Sequence, residues 1–137
     1  MMLLMRITAT LLALLLAACS DASGEADGLD ARLARASQGL CDAQVHAFER
    51  NVPRAAVVFD TEVHGFLHEL AAVLQDTDRP AAGDLLEAKQ RVERALEDPA
   101  GADPQVVVVL ITGLQRALRD GAEAAGLPTP LCGEGAS

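Results

Sequence analysis

Four stretches of this chain repeat apolar residues at the three- and four-residue spacing of an α-helix, and the stretches between them are short and rich in proline, glycine and aspartate. The first, about 29 to 50, places Leu29, Leu33, Ala36 and Leu40 on one side. Cys41, Val45 and Phe48 continue that side after a change of phase near Gly39, where the weak helix propensity of glycine predicts a kink. Asn51-Val52-Pro53 closes the segment, because proline restrains the residue before it and suits the first turn of a new helix. The second segment, about 53 to 75, is the most amphipathic. Ala56, Phe59, Val63, Phe66, Leu67, Leu70, Val73 and Leu74 fall within an apolar arc of about 120°.

Asp76-Thr77-Asp78-Arg79-Pro80 separates it from a third segment, about 80 to 97, whose inward positions are Ala81, Ala82, Leu85, Ala88, Val92 and Leu96. The fourth opens on Asp103 as N-cap and Pro104 at the first helical position. Its run Val106 to Ile111 favours a strand by propensity, but Val107, Leu110, Leu114, Ala117, Leu118, Gly121 and Ala125 share one helical side, which decides for helix. Gly126-Leu127-Pro128 ends it. Four amphipathic helices with short connections predict an all-α fold, a small antiparallel up-and-down four-helix bundle.

Residues 1 to 18, M-M-L-L-M-R-I-T-A-T-L-L-A-L-L-L-A-A, hold one charge, Arg6, ahead of an apolar run too short for a comfortable membrane span. The junction Leu16-Ala17-Ala18-Cys19 resembles the lipobox of bacterial lipoproteins. That resemblance covers only the leader and the cleavage site. It implies that residues 1–18 are a signal peptide, that Cys19 is acylated and becomes the new amino terminus, and that the chain reaches the cell envelope. Ser20 is not the aspartate that, in such proteins, retains the chain at the inner membrane. The resemblance therefore implies the outer membrane of a two-membraned bacterium, or the outer face of the plasma membrane of a one-membraned one. Residues 19–28, small and acidic, are expected to be the lipidated cysteine and a flexible tether, with residues 29–137 as the bundle domain.

Without the leader and its Arg6, ten basic and twenty acidic side chains leave a formal charge of −10. So acidic a surface argues against nucleic acid as a partner and against direct adsorption to anionic headgroups, which leaves the lipid on Cys19 as the membrane attachment. With Cys19 acylated, Cys41 and Cys132 remain as a pair in an oxidising compartment, and a structural disulfide is expected between them. Their distance in sequence and the lack of C-x-x-C speak against redox chemistry.

Two of the chain's three histidines lie in F-D-T-E-V-H-G-F-L-H-E-L, residues 59 to 70. On one helix Asp60, His64 and His68 form an i, i+4, i+8 ladder, a pattern that offers two imidazoles and a carboxylate to one zinc, copper or nickel ion. The zinc-protease pattern H-E-x-x-H is absent, since Gly65 follows His64. Two other readings stand beside the metal: a wet helix edge solvated by Asp60 and Glu69, and a contact that responds to histidine protonation. His46 and Glu49, three apart, read as a surface pair. Lys89 breaks the apolar arc of the third segment, either as a buried amine or as a snorkelling lysine whose ammonium reaches Glu93 four residues on.

With no Trp, no Tyr and three Phe, the chain lacks stacking rings for bases, sugars or flat cofactors. It also lacks G-x-S-x-G, the P-loop and C-x-x-C-H. The expectation is a non-enzymatic, lipid-anchored helical module that binds an unknown envelope protein, with a transition-metal module on Asp60, His64 and His68 as the alternative.

Overall fold

The computed structural model describes residues 24–129 and Cys132, so the expected signal peptide, the lipobox-like junction and Cys19 lie outside the described residues. Among the described residues the chain is all helical: α1 (Gly24–Phe48), α2 (Val52–Val58), a π turn (Phe59–Val63), α3 (His64–Thr77), α4 (Arg79–Leu96) and α5 (Pro104–Ala124). Helix α1 starts at Gly24 and takes residues 24–28 of the expected tether into the helix.

The helix does not break at Gly39; α1 continues through it without interruption. Leu33, Ala36, Leu40, Ala43 and Ala47 are buried at an unbroken 3-4-3-4 spacing, and Gly39 and Cys41 beside them are buried too. Val45 and Phe48, expected inside, therefore lie on another face and are 53 % and 79 % exposed. Gly39 serves close approach instead: a Cβ there would stand 2.8 Å from Glu62 Cβ and 3.0 Å from Val63 Cγ2 on the π turn. Beyond Phe48 the chain reverses at Arg50, which adopts φ 63°. Arg50 N–H donates to Ala47 O and Asn51 N–H to His46 O, the two bonds that satisfy the last carbonyls of a helix ending in a left-handed residue.

The expected second helix is divided by the π turn. His64 N–H donates to Phe59 O, five residues back, instead of to Asp60 O. The Thr61 hydroxyl donates to Val57 O at 2.8 Å, competing for a carbonyl of the same turn. The extra residue changes the buried face from Val52, Ala55 and Val58 before the turn to Phe66, Leu67, Leu70, Ala71 and Leu74 after it, with Phe59 and Val63 buried within the turn itself. Ala56 is consequently only half-buried and Val73 is 40 % exposed, against the single arc expected from the sequence.

Side-chain caps hold the remaining starts. Asn51 Oδ1 accepts from Arg54 N–H, Asp78 Oδ1 from Ala81 N–H and Asp103 Oδ1 from Gln105 N–H. Helix α5 ends at Gly126, φ 71°, with Leu127 N–H donating to Ala122 O.

The elements form a helical bundle in which α4 packs mainly on α5 and α3, and α1 on α2, the π turn and α5. Its centre is Leu33, Leu40, Leu67, Leu70, Leu74, Leu85, Ile111 and Leu114, all buried. A polar clasp joins α1 to α5, with Gln44 Nε2 donating to Thr112 Oγ1 at 2.7 Å and Gln115 Nε2 to Gln44 Oε1 at 3.3 Å. The expected disulfide is present: Cys41 on α1 is bonded to Cys132 in the tail, with their Cα atoms 5.8 Å apart.

Candidate functional site

The residues with the most chemistry meet where the start of α3 faces the last two turns of α4. Lys89 and Glu93 stand four apart on α4 and so share a face, while His64 is delivered from across the groove by the π turn directly before it. Glu93 Oε1 is the centre of the group, 2.6 Å from Lys89 Nζ and 2.8 Å from His64 Nδ1. The His68 ring follows one turn after His64, with centroids 5.0 Å apart and planes at 65°. Phe59 closes the other side of His64 edge-on, at 6.5 Å.

Lys89 combines the two readings its sequence position allowed. Its ammonium reaches Glu93 as a snorkelling lysine would, yet the side chain is only 7 % exposed, so it ends inside the bundle. Every buried side-chain nitrogen and oxygen among the described residues has a partner. Burial alone would raise the Glu93 carboxyl; the hydrogen bond and charge of Lys89, then the charge and hydrogen bond of His64, outweigh it and hold the group below its ordinary value of 4.5.

Of the expected ladder, the structure brings His64 and His68 together and leaves Asp60 aside. Asp60 lies exposed on the π turn, whose additional residue changes its angular position relative to His64. Among the described residues no group of three or more His, Cys, Asp or Glu side chains is placed to hold a metal ion. Glu69 is engaged by Arg32 of α1 at 3.0 Å, and His46 stands with Glu49 at 3.9 Å. The partnership of Glu93 with His64 had no signature in the sequence, where Glu93 was visible only as the i+4 neighbour of Lys89.

A second feature lies where the end of α1 meets the start of α5. Phe48, Arg50, Asp103, Pro104, Val108 and Val109 line an open groove of about 800 Å³. Phe48 and Val109 are 79 % and 69 % exposed, and Val45 and Val106, each three residues earlier on the same helix, are also exposed. A smaller cleft of about 190 Å³ lies beside the disulfide, between Ser37, Thr112, Arg116 and Arg119.

The chain matches no family model, no curated protein and no solved structure, so fold and site are read from its own physics. Among the described residues no helix is long and apolar enough to cross a membrane.

Proposed function

We propose that this chain is a non-enzymatic interaction module of the cell envelope, an up-and-down antiparallel bundle anchored by lipid on Cys19, that binds a protein partner through the apolar groove between α1 and α5. The observation that carries the reading is the exposure of Phe48 and Val109 side by side on that groove. Singly exposed apolar residues are ordinary, but several lining one groove together with one cation, Arg50, and one anion, Asp103, have the composition of a protein contact.

The position of the groove supports a protein rather than the bilayer. Helix α1 has 25 residues, about 37 Å at 1.5 Å each, and Phe48 stands at the end opposite Gly24, the end nearer Cys19 in sequence. The acidic balance of the chain also disfavours adsorption to anionic lipid.

Photo-crosslinking residues placed at Phe48 and Val109 test the reading in the producing cells, with a control at exposed Asp84 of α4. A discrete adduct at both groove positions, absent from the control, is expected, with the Val109 adduct also lost in a Phe48→Asp background of unchanged melting temperature. Equal labelling at all three positions, or none, would overturn it. Replacing Cys19 by Ser is expected to release the chain from the membrane fraction, and retention there would refute the lipid anchor.

A further inference from the structure

We propose that His64 and His68 form a two-nitrogen site for a late first-row divalent ion, copper(II) ahead of nickel and zinc, in which Glu93 holds His64 from behind instead of ligating the ion. The proposal is independent of the groove described above; it drops Asp60 from the expected ligands and gives a carboxylate of a different helix the supporting role behind His64.

Three observations lead to it. First, His64 Nδ1 lies 2.8 Å from Glu93 Oε1, and an atom that close to a carboxylate oxygen carries a proton, since two bare acceptors would repel. In the neutral imidazole the lone pair is then on Nε2, on the far side of the ring. A histidine backed through its other nitrogen by a carboxylate is the arrangement that fixes tautomer and orientation for metal ligation and raises the basicity of the ligand. Lys89, 2.6 Å from the same oxygen, keeps Glu93 ionised and in place.

Second, the two rings have the separation that one ion requires. With metal–nitrogen bonds of about 2.0 Å each ring centroid would stand a little over about 3 Å from a shared ion, and a centroid separation of about 5 Å then corresponds to an angle of about 100° at the ion, near both square-planar and tetrahedral angles. The observed centroid distance is 5.0 Å. Third, both rings are open to solvent: the His64 side chain is 37 % exposed, and exposed His68 has no side-chain hydrogen bond or ion pair among the described residues. Water completes the coordination, in keeping with the lack of a third protein ligand. Copper(II) stands highest in the affinity order of such a nitrogen pair.

The test is a copper(II) titration of the purified, tag-free, disulfide-intact protein, followed by calorimetry and electron paramagnetic resonance. Wild type is expected to bind one ion with hyperfine coupling to two imidazole nitrogens. His68→Ala, at an exposed position that leaves the core untouched, is expected to lose that two-nitrogen signal. Glu93→Gln should retain the signal while affinity falls about 10- to 100-fold, the effect of removing a supporting carboxylate. If Glu93→Gln does not fold, Lys89→Met/Glu93→Gln removes the buried pair together and takes its place. Asp60→Asn should bind as wild type does. A wild type without two-imidazole coupling, a His68→Ala protein that still shows it, Glu93→Gln affinity equal to wild type, or a loss in Asp60→Asn as large as in His68→Ala would each overturn the proposal.

Discussion

At Glu93 the two partners are not equivalent, and stability measurements should show it. Lys89 has a side chain only 7 % exposed, whereas Glu93 is 32 % exposed and can recover water. Glu93→Gln leaves a buried ammonium without its counter-charge and is expected to cost about 1–3 kcal/mol in urea denaturation at pH 7. Lys89→Met keeps the packed stem, removes the buried charge and should fall within about 1 kcal/mol of wild type. The acid also carries a pH signature. Because its carboxyl is held below the ordinary 4.5 in the folded chain, its contribution is full above that value and is lost as pH falls through the lower, folded value. The gap between wild type and Glu93→Gln should therefore narrow as the pH is lowered from 7 into the acid range below the ordinary carboxylate value; a gap of constant size would show that charge is not its source. The sequence made His64 and His68 legible as a pair on one helix, and Lys89 with its i+4 tie to Glu93 as a pair on another. The Glu93–His64 contact was not, because it depends on how two helices are turned toward each other.

Helix ends and helix faces were legible to different degrees. Asp103 caps α5 as the sequence indicated, and the boundaries at Asn51-Val52-Pro53 and Asp76–Pro80 stand within about a residue of the pattern, with Asn51 and Asp78 found as their caps. The π turn left only an indirect mark: at 100° per residue Val58 falls outside the arc that holds Val63, Phe66 and Leu70, yet it is buried, because the extra residue at the turn changes the angular relation between the two parts. Gly39 was misread for the same reason. It allows α1 to approach that turn, so Gly39→Ala, forcing a Cβ to within 2.8 Å of Glu62 Cβ, should destabilise by about 1–3 kcal/mol. Gly113→Ala on α5 meets no atom within 4 Å and should stabilise by about 0.5–1 kcal/mol through propensity alone. Equal effects from the two in thermal melts would remove the close-approach argument. Arg50→Gly relieves a left-handed arginine and should add about 1 kcal/mol without altering the 47–51 hydrogen bonds.

For the whole molecule the decisive bond is the disulfide, which joins residues 91 apart and encloses α2 to α5 in one covalent loop. The tail it fastens contributes little packing of its own, since Leu127 is only half-buried and Cys132 is exposed. The benefit must then lie chiefly in the unfolded chain, which loses the freedom to separate α1 from the end of α5. In the chain-entropy account a loop of that length is worth about 4–5 kcal/mol. An effect on the unfolded state weakens all helices together, whereas a local effect would loosen the tail and the clasp of Gln44, Thr112 and Gln115 alone. Native-state hydrogen exchange distinguishes the two in a Cys41→Ala/Cys132→Ala protein. We expect protection to fall by a similar free energy in α1, α3, α4 and α5, with the slowest amides still around Leu70, Leu85 and Leu114. Loss confined to residues 112–129 would assign the disulfide a purely local role and leave the four packed helical segments as the sole source of global stability.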